Sequence, residues 1–371
     1  GQTGAAAGRQ HDQCSRETGR GRPDVTSDPG RSSACSGTVD DTGATVPTQG
    51  TQARRSPSRK GMLAMRRYTN ILFSPLGKHE NSLAVRNIAK LVVGTSAQLT
   101  LYAIIPAPSG LRQLFSRTEI DRELHERQRT ELERKLSKWT RRIGGSSIET
   151  VVETGDPALS IIERVVNHHH DLVVVTTDED REDRATIRRL MRKCPCPVWA
   201  IRPTRARTLR VLAALNPEPH ETDLNRLILE LAASMVEMHG GELHVAHAWE
   251  LFGESTLRSS RFAHVSDDEI DELLCREHDT RRRALDQLLA HPNVQHAPWR
   301  VHLVKGPPTD VIPRLASDLR INLLVMGTVA RTGLSGLVMG NTAENVLDHV
   351  ECSVLAVKPP GFVSPIHPTS S

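Results

Sequence analysis

Short runs of β-branched and aliphatic residues alternate with stretches in which apolar positions recur every three to four residues, and this texture begins at Tyr68. Strands buried on both faces of a parallel sheet read as near-continuous apolar runs, and the helices covering them read as amphipathic. The pattern therefore predicts an α/β fold, and it occurs twice. "YTNILFSPLG" (68–77) and "TLRVLAALNP" (208–217) are matching first strands, and "GDPALSIIERVVNHHHDLVVVTT" (155–177) lies over "GPPTDVIPRLASDLRINLLVMGT" (306–328) without a gap. A spacing of roughly 140 to 150 residues is too long for a solenoid repeat and marks a duplicated domain.

Each copy reads β-α-β-α-β-α-β-α-β. In the second, "LRVLAAL", "GELHVAHAW", "WRVHLVKG", "NLLVMGT" and "CSVLAVK" supply five strands. Residues 267–290 supply a long helix with apolar positions at Ile270, Leu273, Leu274, Ala284, Leu285, Leu288 and Leu289, and 118–139 supply its counterpart. The charge on both helices reads as a solvated face. The copies are bounded as 66–205 and 206–360, with 361–371 a short free tail after "CSVLAVKPP".

Residues 1–65 change the picture. Through position 61 they are Gly, Ser, Thr, Arg and Asp with hardly a large apolar side chain, so they cannot bury enough surface to offset ordering entropy. The expectation is a disordered extension, or translated sequence upstream of a start at Met62 or Met65. A regulatory tail is the alternative.

The chain has 371 residues, 37% of them hydrophobic, and 48 basic against 44 acidic residues, a net charge of +4 that gives no reason to expect nucleic acid. No apolar run approaches the ~18 residues of a membrane span. Six cysteines include one C-x-C and no C-x-x-C, which suggests neither a zinc site nor a disulfide framework, and a cytoplasmic location is expected. Cys194 and Cys196 lie on one face of an extended segment, where a strained redox bridge is the minor alternative to two reduced thiols. The triplet 168–170, "HHH", suits a helix C-terminus carrying partly protonated imidazoles better than a metal, because three consecutive residues cannot face one ion. No nucleophile–base spacing or Walker lysine asks for catalysis, so a non-catalytic protein is expected.

The first strands, the "HVAHAWE" strand and the run "LLVMGTVARTGLSGLVMGNTAENVLDHVECSVLAVKPP" resemble the universal stress protein family in its tandem type. The resemblance covers about residues 66–360. It implies two Rossmann-like domains, each a five-stranded parallel sheet between helices, paired through their last strands within one chain, with a homodimer as a further assembly. Its nucleotide-binding members carry G-x-x-G, nine residues, then G followed by Ser or Thr. The glycines let the backbone turn and bring N–H groups to phosphate at a helix start.

In the second copy this implies ATP or another nucleotide held by Gly327, Thr328, Ala330, Arg331, Gly340, Asn341 and Thr342, with Asn216 at the position of the family's acidic residue for base and ribose. Ala330 replaces the second glycine, and a left-handed alanine costs on the order of 1 to 2 kcal/mol. Asn341 replaces Ser or Thr. With Glu344 it also fits a capping box, N-T-A-E, which would leave fewer N–H groups for a ligand. The first copy has a shorter loop without glycine that carries Asp178, Glu179, Asp180, Glu182 and Asp183, and is expected to repel phosphate. Two alternatives stay open. One is a small phosphorylated or apolar ligand, other than ATP, held between the domains. The other is slow ATP hydrolysis using Asp310 or Glu344.

Overall fold

The computed structural model describes residues 68–76, 82–107, 119–144, 147–177, 180–204, 206, 208–259, 266–291, 299–330 and 338–366. The expected disordered extension 1–65 lies outside them.

The first copy runs β1 (Asn70–Pro75), α1 (Ser82–Thr95), β2 (Gln98–Pro106), α2 (Glu119–Ile143), β3 (Ile148–Gly155), α3 (Pro157–His168), β4 (Leu172–Thr176), α4 (Arg181–Lys193) and β5 (Val198–Ile201). The second runs β6 (Leu209–Ala214), α5 (Thr222–His239), β7 (Gly241–Trp249), a short α6 (Glu254–Ser259), α7 (Asp267–Leu289), β8 (Trp299–Lys305), α8 (Pro308–Asp318), β9 (Leu323–Gly327), a two-residue ladder of β10 (Val329–Ala330) with β11 (Val338–Met339), α9 (Asn341–His349) and β12 (Ser353–Val357). The short helix and the small ladder carry too little periodicity to be read from sequence.

All ten long strands form one sheet in the order β3-β2-β1-β4-β5-β12-β9-β6-β7-β8. Each copy contributes five parallel strands in equivalent order. The copies join where β5 and β12 pair antiparallel, with Ala200 opposite Val354, Trp199 opposite Leu355 and Val198 opposite Ala356. The expected pairing of the domains through their last strands is thus met inside a single chain.

Residues facing opposite ways along each strand feed two cores. One face packs under α1, α2, α5 and α7, with Phe73 stacked on Trp139 at 5.0 Å. The other packs under α3, α4, α8 and α9. Both cores run through the seam. In α7 only Ile270 and the last turns reach the core, while Leu273 is solvent-exposed, contrary to its assignment to the apolar face. The middle of that helix carries ion pairs such as Arg276–Glu272 at 2.6 Å, the solvated surface that the charge pattern predicts.

Side chains clamp the seam from both sides. Arg188 of α4 meets Asp348 of α9 at 3.1 Å, and Arg192 pairs with Glu344. Arg202 donates to the Val350 carbonyl at 2.6 Å, and its N–H donates to Ser353 Oγ at 3.1 Å. The segment after β12 is not a free tail, at least through residue 366. Lys358 donates to the Met191 carbonyl, Phe362 is buried beside Lys358, and Ser364 Oγ donates to the Lys193 carbonyl at 2.8 Å. Proline content suggested an unattached end, but the freed carbonyls at the end of α4 recruit these donors.

The histidine triplet lies at a helix C-terminus as expected, but its third member does not carry the expected charge. His168 ends α3, His169 adopts the left-handed cap conformation (φ 56°), and His170 turns into the protein. Burial, then Arg164, pushes His170 down to about 4, so it is neutral rather than a cation serving the helix dipole. Cys194 and Cys196 are buried free thiols with Sγ atoms 3.6 Å apart. Among the described residues no group of three or more His, Cys, Asp or Glu could hold a metal, and no helix is long and apolar enough to cross a membrane.

Two outcomes follow from this architecture. Residues 66–205 expressed alone expose the β5 edge and should self-associate in sedimentation velocity, and a monodisperse monomer would contradict the seam's role. His170, His239 and His302 are all pushed down to about 4, chiefly by burial. The unfolded chain therefore binds more protons than the native one between about pH 6.5 and 4, and stability to urea should fall as pH drops through that window. A flat profile would contradict their burial as neutral groups.

Candidate functional site

A cleft of about 360 Å³ opens at the carboxyl ends of β6 and β9, the position where open α/β sheets hold ligands. β6 delivers Asn216 just beyond its end. Asn216 donates its N–H to Asn225 Oδ1 at 3.1 Å and accepts at its carbonyl from Asn225 Nδ2 at 2.6 Å. The side-chain amide of Asn225, buried in the second turn-face of α5, thereby fixes the strand end and the direction of Asn216. Glu221, immediately before α5, brings a carboxylate to the same cleft.

β7 supplies His247, which is 4% exposed. Its Nδ1 lies 3.1 Å from the Leu215 carbonyl. Burial pushes its pKa below the usual value, so the ring is neutral. A carbonyl only accepts, so Nδ1 carries the proton and Nε2 is left as a buried acceptor without a partner in the protein.

β9 ends at Gly327. A Cβ there would meet Leu224 Cδ2 at 2.8 Å, so the glycine is explained by the close approach of α5 rather than by a tight turn. Thr328 follows, wholly buried; its N–H reaches the Val357 carbonyl at 3.3 Å and its carbonyl accepts from Gly340 N–H at 3.1 Å. Its hydroxyl has no hydrogen-bond partner.

Two expectations are corrected here. Ala330 is not left-handed: it sits in the extended β10 ladder opposite Val338, so the anticipated strain is absent. Asn341 does not cap α9. The cap is Gly340 (φ −68°, ψ 141°), which offers no side chain, and Asn341 is the first helical residue. The expected box partner Glu344 is drawn instead to Arg192 across the seam. The first N–H groups of α9, at Asn341 and Thr342, thus have no side-chain cap. Arg331 lies outside the described residues.

The first copy supplies an internal control. Thr177 is the counterpart of Thr328, and its N–H makes the equivalent bond to the Ile201 carbonyl at 3.3 Å. Its hydroxyl, however, donates to Asp183 Oδ2 at 3.1 Å, and Asp180 caps α4 by accepting from Asp183 N–H at 2.8 Å. Two carboxylates of the chain itself thus do the work, Asp183 accepting from the hydroxyl and Asp180 capping the helix start. Asp178 and Glu179 lie outside the described residues.

The structure therefore gathers Asn216, Gly327, Thr328, Gly340, Asn341 and Thr342 around one cleft. Sequence reasoning missed Glu221, Asn225 and His247. Their only sequence signal is position: Glu221 and Asn225 open the helix after the first strand, and His247 lies near the carboxyl end of a mostly apolar strand that also holds Glu242 and His244.

Residues 68–202 and 210–358 each match the model of the universal stress protein family. Universal stress protein E of Escherichia coli strain K12 is 30% identical over 227 residues, covering 58% of this chain and 69% of that one. The universal stress protein E homolog of Haemophilus influenzae is 26% identical over 314 residues, 79% of this chain and 98% of that one. A functionally unknown protein from Pseudomonas aeruginosa PAO1 shares the fold with a TM-score of 0.56 at 24% identity, over 80% of this chain and 94% of that one.

The two threonines give a direct check on the asymmetry. Thr177→Val removes a hydroxyl donor from the buried Asp183 carboxylate and should cost about 1 to 3 kcal/mol in urea denaturation, whereas Thr328→Val removes an unpartnered hydroxyl and should be near neutral or stabilising. Equal losses for both would contradict the contrast between the copies.

Proposed function

This chain belongs to the universal stress protein family as a tandem member, and on that premise we propose that it is a non-catalytic stress-response protein whose second domain weakly binds ATP or another nucleotide, while the first serves as its structural partner. The observation that carries the proposal is the unpartnered, fully buried Thr328 hydroxyl beside the uncapped start of α9, set against the Asp183-satisfied Thr177. A buried hydroxyl left without a partner is costly, and a helix start favours anions. Together they suit one phosphate group.

Thr328 Oγ1 and the N–H groups of Asn341 and Thr342 would hold phosphate. Asn216, Glu221 and the Nε2 acceptor of His247 would face the nucleoside, whose hydroxyl and amino groups are donors. Glu221 offers the carboxylate that Asn216 lacks. The cleft volume of about 360 Å³ lies within the ~300–1,000 Å³ range of small-ligand sites. Binding is weak because the phosphate meets no cation among the described lining residues. A non-catalytic role accords with Asp310 and Glu344, the two carboxylates a hydrolytic reading would need, both lying outside the residues that line the cleft.

Calorimetric titration of the full chain with ATP tests this. Binding should be detectable, Thr328→Val should weaken it roughly threefold to tenfold, and Thr177→Val should leave the fitted affinity unchanged. Asn341→Ser should tighten it, while Ala330→Gly alone should do little because no strain is relieved. Undetectable binding in both the native chain and Asn341→Ser would make the loop a relic.

A further inference from the structure

At the other end of the sheet, where β6, β9 and β12 begin, a cavity of about 230 Å³ lies between the two copies. α1 of the first copy lines it with Arg86 and Lys90, one helical turn apart, and α5 of the second lines it with His239. Trp199 of β5 and Ser353 of β12 add the seam itself, and Thr204 and Thr208 of the interdomain linker close it. No carboxylate is among the lining residues.

The lining carries two cations and neutral polar groups. Lys90 Nζ lies 3.5 Å from His239 Nδ1. Burial, then Lys90, then Arg86, holds His239 down to about 4, so the ring is neutral near pH 7. An ammonium only donates, so Nδ1 accepts and Nε2 carries the proton. That buried Nε2–H has no partner, and neither has the buried indole Nε1–H of Trp199. Ser353 Oγ already accepts from the Arg202 N–H, which leaves its own proton to donate. Two cations and a hydroxyl thus come from residues lining one space without a carboxylate, and the two orphaned N–H groups lie buried in its walls.

We infer that this interdomain cavity is a second anion site, taking a small phosphorylated ligand whose charge is met by Arg86 and Lys90 and whose oxygens accept from Trp199, His239 and Ser353. It is separate from the nucleotide cleft, which lies at the carboxyl ends of the strands. Its walls come from both domains, so occupancy ties them together. A ligand bound only by the native arrangement raises stability by mass action.

The test uses the full chain and pyrophosphate, with ionic strength held constant by sodium chloride. Pyrophosphate should raise the melting temperature and broaden its own phosphorus NMR signal. The Arg86→Gln/Lys90→Gln double variant, altered only at exposed α1 positions, should weaken this at least about tenfold, since charge-assisted bonds dominate such sites. Thr328→Val should leave it intact. The His239 imidazole proton shift, followed in the native chain, should show its pKa moving up on binding as the anion offsets Arg86 and Lys90. Absence of binding, unchanged binding in the folded double variant, or complete loss in Thr328→Val would each overturn the inference. The last two place pyrophosphate elsewhere, and loss in Thr328→Val assigns it to the nucleotide cleft.

Discussion

The antiparallel pairing of β5 with β12 is the constraint on which the rest of the molecule depends. A five-stranded parallel sheet ends in an apolar strand whose backbone donors and acceptors on one side have nowhere to go, and an exposed edge of that kind recruits another strand. Carrying both copies in one chain lets each satisfy the other's edge at a fixed effective concentration. Two cores that would have stopped at β5 and β12 become continuous across ten strands.

The seam also explains how the two ends of the sheet acquire different chemistry. It sets α4 beside α9, where Arg192 holds Glu344, while Gly340 at the cap leaves the start of α9 without a side-chain acceptor. On the first-copy side of the same junction, Asp180 and Asp183 satisfy the equivalent donors from within. The duplicated scaffold therefore carries one open helix start and one closed one. At the opposite end, α1 and α5 are brought to the two flanks of the seam with the linker across them, which creates a space that neither domain has alone. Divergence after duplication has been cheap because most of the stability lies in strands and cores, leaving loops free to differ.

Much of the fold was legible in the sequence. Runs such as "GELHVAHAW" and "CSVLAVK" mark strands within a residue of where they lie, since a strand buried on both faces leaves a continuous apolar signature. The duplication was equally visible, whereas the pairing of the final strands followed only from the family resemblance. Of the site, the glycines and Asn341 were found by matching the family's loop motif, but their physical roles were not. Gly327 yields to Leu224 on a different element, and Gly340 rather than Asn341 became the cap, choices set by tertiary contacts that local pattern does not encode. Asn225 and His247 escaped notice because single polar residues scattered along a helix or strand carry no motif. The same holds for the cavity at the seam, where Arg86 and His239 lie far apart in sequence and meet only through the sheet.

One domain of the pair keeps a helix start without a side-chain cap, and the other closes its own with Asp180 and Asp183. Electron density from crystals of the full chain soaked with ADP addresses this contrast most directly. The account predicts phosphate density against Thr328 and the N-terminus of α9, with Asp183 still bonded to Thr177 and nothing bound at the start of α4. Density at Thr177 with Asp183 displaced, or equal occupancy of both domains, would contradict it.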